Sequence, residues 1–90
     1  MKDRGTRVLI VDDEECIRQI LYSLIQKEGL QPLLAHDGNS ALRSIRLESP
    51  HLMLLDLKMP GVDGIEVLRR AKELDPILPV IVLTAYADIH

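Results

Sequence analysis

Four short aliphatic runs are spaced along the chain with a helix-period segment in each gap, and this alternation leaves few ways to fold. Val8-Leu9-Ile10-Val11 is the first run, ending at Asp12 and Asp13. From Glu14 the apolar positions Ile17, Ile20, Leu21, Leu24 and Ile25 recur at helical spacing. Acids fill the first turn, where the helix dipole favours them, and Gly29 follows as a C-terminal cap. Gln31 to His36 is a second strand, with Pro32 near its start, where a missing N–H is tolerable at a sheet edge. Asp37-Gly38 then reads as a turn, and Ser40 to Glu48 as a short helix on Ala41, Leu42, Ile45 and Leu47, stopped by Pro50. Leu52 to Leu55 is the third strand. Gly64 to Leu74 carries Ile65, Leu68, Ala71 and Leu74 at intervals of three, a third helix closed by "DPILP", and Val80 to Leu83 is the fourth strand.

A βαβαβαβ order implies a parallel sheet, because each right-handed crossover returns the chain to the same edge. The strands are near-continuous apolar runs, as expected when helices cover both faces. The fold class expected is therefore α/β, a doubly wound parallel sheet of the flavodoxin-like kind with strand order 2-1-3-4. Ninety residues make one small domain, and aromatics are only 2% of the chain, so Leu, Ile and Val must build its core. A sheet whose last strand is "VIVLTAY" presents either an unpaired apolar edge or a site for pairing with a second copy, a possible route to a homo-oligomer.

The formal net charge of −3 and the lack of a Lys/Arg-rich block argue against direct nucleic-acid or anionic-membrane binding. No apolar stretch is long enough for a secretory signal or membrane span, and the single cysteine, Cys16, excludes an internal disulfide. A reducing, cytoplasmic setting is expected.

In open α/β sheets ligands bind beyond the carboxyl ends of the strands, where the winding direction switches. Asp12 and Asp13 end the first strand and Asp56 ends the third, which is its neighbour in the expected order. Three carboxylates brought into one crevice cannot all stay ionised unless a cation compensates them. All the donors are oxygens, with no His or Cys at ligand spacing, so the cation should be hard. Mg²⁺ fits, since it takes a few carboxylates and carbonyls, keeps waters and leaves room for a phosphate oxygen. Thr84 ends the fourth strand on the same edge and offers a hydroxyl to a phosphoryl oxygen.

"VLIVDDE", "LLDLKMPGVDG" and "VIVLTAYAD", in this order and at these distances, resemble the receiver domain of two-component response regulators, and the resemblance covers the whole chain. The "TAYADIH" ending further resembles receivers attached to sigma-54-dependent transcription activators. The resemblance implies that Asp56 accepts a phosphoryl group from a sensor histidine kinase and becomes an acyl phosphate. It implies that Asp13 ligates Mg²⁺ directly, Asp12 does so through water, and the backbone carbonyl of Lys58 completes the protein's share of the shell. Thr84 corresponds to the switch residue that bonds the new phosphoryl group, with Ala85 as its small neighbour. Pro60-Gly61 shapes the loop and Asp63-Gly64 begins the next helix. An output domain attached in the full-length protein, and transcription regulation through it, follow from the same resemblance. The family's fifth strand, with a cleft lysine, and its last helices would come after His90. The chain therefore reads as a partial receiver domain, 1-90, that lacks a cation for the phosphoryl group and is phosphorylated poorly or not at all.

Two other readings stay open: a Mg²⁺-dependent phosphatase with an aspartyl-phosphate intermediate, and a non-phosphorylated interaction or dimerisation fragment. Against the phosphatase, Lys58 stands where such enzymes carry a second acid, and no cap domain is present. As a receiver, the chain is a signalling switch and not an enzyme beyond its own phosphorylation and dephosphorylation. The Lys58 side chain either tunes the phosphate's lifetime from the cleft mouth or is idle, and Tyr86 is equally open between the mouth and packing. His36, His51 and His90 share no cluster and read as structural. Cys16, in a helix's first turn with no base nearby, reads as inert.

Overall fold

The computed structural model describes residues 5–60 and 62–83. The elements are β1 (Arg7–Val11), α1 (Glu15–Lys27), β2 (Gln31–Ala35), α2 (Gly38–Glu48) and β3 (Leu52–Asp56), followed by two short strands, β4 (Lys58–Met59) and β5 (Val62–Asp63), then α3 (Gly64–Leu74) and β6 (Val80–Leu83). The main sheet runs β2-β1-β3-β6, with every pairing parallel. The 2-1-3-4 order of the four principal strands is the one expected from the sequence, β6 being the fourth. β4 and β5 form a small antiparallel pair, Lys58 opposite Asp63 and Met59 opposite Val62, where the sequence suggested only a loop. That ladder is only two residue pairs long, too short to leave a period in the sequence.

Side-chain alternation divides β1 between two cores. Leu9 and Val11 point into the larger one with Met53, Leu55, Ala41, Ile45, Val67 and Ala71, under α2 and α3. Val8 and Ile10 point the other way, joined by Leu54 and by the inner residues Leu21 and Ile25 of α1. Fully burying an aliphatic side chain is worth about 1.5–3 kcal/mol, so β1, inaccessible to solvent from Val8 to Val11, anchors the domain.

Local signals set the helix ends. The Asp37 carboxylate accepts the Ser40 N–H at 2.8 Å and the Ser40 hydroxyl accepts the Asp37 N–H at 3.4 Å, a reciprocal capping box. That box starts α2 at Gly38, correcting the sequence expectation of a turn at Asp37-Gly38 with the helix beginning at Ser40. α1 ends as expected, with Gly29 at φ 82°, in the left-handed region that favours glycine. At the amino ends of the strands Arg7 clasps the end of α2, donating to the Glu48 and Ser49 carbonyls at 2.7 and 2.8 Å. His51 opens β3 there, its Nδ1 accepting the Arg7 N–H at 3.0 Å.

Two sequence expectations about helix faces are corrected. α3 buries Gly64, Val67 and Ala71, whereas Ile65 is 60% and Leu74 43% exposed. An interval of three drifts around a helix of about 3.6 residues per turn, so only Leu68 and Ala71 of the expected stripe face inward. α1 lies over β1 and β2, and its Ile20 and Leu24 are each 52% exposed, because no described helix flanks it on that face of the sheet.

Candidate functional site

The crevice forms at the carboxyl ends of β1 and β3. The Asp12 N–H donates to the Ala35 carbonyl at 3.2 Å, carrying the β1–β2 ladder one residue past the strand. The Asp12 carboxylate then accepts the Glu14 N–H at 2.9 Å, an Asx turn that leads into α1. From the first turns of α1, Arg18 reaches back and its Nη1 donates to the Asp12 backbone carbonyl at 2.8 Å. Asp56 is the last residue of β3, paired in register with Leu83, and its Oδ1 accepts the Lys58 N–H at 3.0 Å. Both aspartates thus fold the chain around themselves just beyond a strand end.

The carboxylates of Asp12, Asp13 and Asp56 each offer an oxygen, and these oxygens lie within 4.8 Å of one another. The sequence-predicted cluster therefore assembles, although Asp56 is far from the other two along the chain. Asp12 is buried, while Asp13 and Asp56 reach solvent. Burial pushes the Asp12 carboxyl above its ordinary range and the negative Asp56 and Asp13 push it further, against the opposing pull of the Glu14 N–H and the Arg18 guanidinium. Compact negative charge with oxygen donors only, and no His or Cys in the cluster, suits a hard divalent cation such as Mg²⁺ better than zinc or copper.

A cavity of about 450 Å³ opens over Asp12, Asp56 and Lys58, with Glu14 at its rim. Ile17, Leu21 and Leu83 supply the apolar part of its lining. Lys58 is exposed at the start of the β4–β5 hairpin. Asp63, opposite it in the hairpin, caps α3 by accepting the Ile65 and Glu66 N–H groups. Thr84, Ala85, Tyr86 and His90 lie outside the described residues, as does Gly61.

Two contributors escaped sequence reasoning. Arg18 carried no signal beyond a cation inside an amphipathic helix, and its target is a backbone carbonyl, which has no residue signature. Gly64 packs so closely on the residue after Asp56 that a Cβ there would fall 2.5 Å from the Leu57 Cα and 2.6 Å from its carbonyl oxygen. Its place behind Asp63 was legible as a helix start, but not as this contact. His36 contacts Asp37 at 3.4 Å, and Cys16 is exposed; neither joins the cluster.

The family model described as the response regulator receiver domain matches residues 8–90. Sporulation initiation phosphotransferase F of Bacillus subtilis is 46% identical over 83 residues, which cover 92% of this chain and 67% of that protein. The DNA-binding transcriptional regulator NtrC of Salmonella typhimurium is 37% identical over 82 residues, 91% of this chain but only 18% of that protein. The chain thus spans two thirds of the first relative and under a fifth of the second. Among solved structures, response regulator protein TrrA of Thermotoga maritima, in complex with Mg²⁺-BeF, matches with a TM-score of 0.85 at 36% identity over 91% of this chain and 71% of that one. A structure of histidine kinase ThkA in complex with TrrA matches with a TM-score of 0.84 at 35% identity, covering 94% of this chain and 73% of that one. With the family model spanning nearly its whole length and the acidic crevice at the switch point of the same fold, the chain belongs to the response regulator receiver domains of two-component signalling.

Proposed function

We propose that Asp56 is the phosphoryl acceptor and that Asp12, Asp13, Asp56 and the Lys58 carbonyl hold Mg²⁺ beside it. The observation that carries this reading is the convergence of three carboxylate oxygens within 4.8 Å at the end of β3. Bound there, Mg²⁺ supplies charge compensation for the carboxylates and for phosphoryl oxygens. Asp13 and Asp56, which reach solvent, and buried Asp12 would hold it through their carboxylate groups. The Lys58 N–H, bonded to Oδ1 of Asp56, holds that carboxylate in one orientation and leaves the other oxygen as nucleophile. That oxygen attacks phosphorus as the phosphorus–nitrogen bond of a phosphohistidine breaks, and the imidazole nitrogen leaves with the electron pair. The product is an aspartyl acyl phosphate. Thr84, next in the chain after Leu83, is the hydroxyl proposed to bond the new phosphoryl group.

The kinase partner is supported by the solved complex of a similar regulator with a histidine kinase. An attached output domain is supported by relatives such as NtrC, in which a segment like this one makes up a small share of the protein. The domain's activity is that of a switch, with self-phosphorylation and slow hydrolysis as its only chemistry. Among the described residues no helix is long and apolar enough to cross a membrane. The test is intact-mass spectrometry after incubation with acetyl phosphate and Mg²⁺. A labile gain of one phosphate is expected in this chain. No gain is expected in Asp56→Asn or with the metal chelated. Equal labelling of Asp56→Asn would assign the acceptor elsewhere.

A second reading, not exclusive of the first, is self-association through β6. Ile81 is 51% and Val82 40% exposed, on a strand paired along one edge only among the described residues.

A further inference from the structure

We propose that Arg18 is a positioning residue for the metal site, acting through the peptide that joins Asp12 to Asp13; this rests on the Mg²⁺ site proposed above. The Asp12 carbonyl belongs to that peptide plane. Fixing its direction fixes the backbone rotation from which the Asp13 side chain departs toward the crevice. The paired register of β1 ends at Val11, so among the described residues this carbonyl lies beyond the strand pairing. Arg18 Nη1 holds it at 2.8 Å, from a half-buried position.

The rest of the loop shows why this contact is needed. On one side Asp12 is tied by its N–H to Ala35 and by its carboxylate to the Glu14 N–H. The next backbone anchor is the Arg18 N–H bond to the Glu14 carbonyl, the first helical bond of α1. The segment between carries Asp13, and the guanidinium spans it. A single side chain thus ties α1 to the strand end that presents two of the three carboxylates. This bond ends on a backbone carbonyl and uses no carboxylate oxygen, leaving those oxygens to the metal. Groups that orient metal ligands without touching the metal typically change its affinity by about 10–100-fold when removed.

The experiment is Mg²⁺ titration of the 90-residue chain, Arg18→Gln, Arg18→Lys and Asp13→Asn, followed by calorimetry and by amide NMR shifts of residues 12–14. Urea midpoints are measured without metal. Arg18→Gln is expected to weaken Mg²⁺ binding by about tenfold with its urea midpoint near the parent's. Arg18→Lys keeps one donor on a long stem and is expected to recover most of the affinity. Parental affinity in Arg18→Gln overturns the proposal while leaving the metal site standing. Weakened binding that follows a fall in the urea midpoint, with no recovery in Arg18→Lys, overturns it as well. A parent that binds no Mg²⁺, or binds it as tightly as Asp13→Asn does, overturns the metal site and this inference together.

Discussion

A buried carboxyl with two acidic neighbours is a cost that Asp12 imposes on the metal-free fold. Its folded-state pKa lies above the unfolded value, so the native state holds the proton more tightly, and stability rises as pH is lowered from neutrality through that folded value. Asp37 works in the opposite sense. The Ser40 N–H and hydroxyl hold its carboxyl below the ordinary range, and its contribution is lost as pH falls from the ordinary carboxylate value through that depressed one. In a metal-free buffer kept above the ordinary carboxylate range, where Asp37 stays ionised, the Asp12 effect is therefore read separately. Asp12→Asn, which keeps an acceptor for the Glu14 N–H, is expected to raise stability at neutral pH by about 1 kcal/mol and to flatten its pH dependence. Urea denaturation of both proteins with chelator present measures this; an unchanged or lower midpoint would show that the carboxylate carries no such penalty.

At the scale of elements, the joint between β3 and α3 governs where Asp56 and Lys58 sit. α3 begins against the backbone of Leu57, and only a glycine permits that approach. Gly64→Ala would force the Leu57 segment to shift, and overpacking of this kind costs about 1–3 kcal/mol. The displaced residue lies between the acceptor and the Lys58 carbonyl, so a lower Mg²⁺ affinity is expected as well. Gly29→Ala is the matched control. Open space surrounds that position, and its cost comes from φ 82° alone, about 1–2 kcal/mol, at the far end of α1. Denaturation and metal titration of the two variants should separate them, with both destabilised and only Gly64→Ala impaired in binding. Equal binding by both would mean that the hairpin positions Lys58 independently of α3.

For the molecule as a whole, two cores share one sheet, and they are unequally covered. α2 and α3 close one face, while on the other the single helix α1 lies over β1 and β2. The exposed Ile81 and Val82 of β6 then make edge pairing between two copies the expected route of self-association. Light scattering across a concentration series should show a dimer that Ile81→Lys returns to monomer, and a monomer at every concentration would rule out β6 pairing. Much of this architecture was legible in the chain. Aliphatic runs alternating with helical segments specified a parallel sheet, because burial on both faces demands continuous apolar strands. The strand-end acids Asp12, Asp13 and Asp56 named the crevice, because a charge following a buried run must meet water, a partner or a metal. Tertiary structure alone decided that Val67, and not Ile65 or Leu74, faces the core, since the inward face of a helix depends on how it is set against the sheet. The same holds for Gly64 against Leu57 and Arg18 on the Asp12 carbonyl. Those contacts end on backbone atoms, which every residue carries alike, so only the folded chain reveals which of them are met.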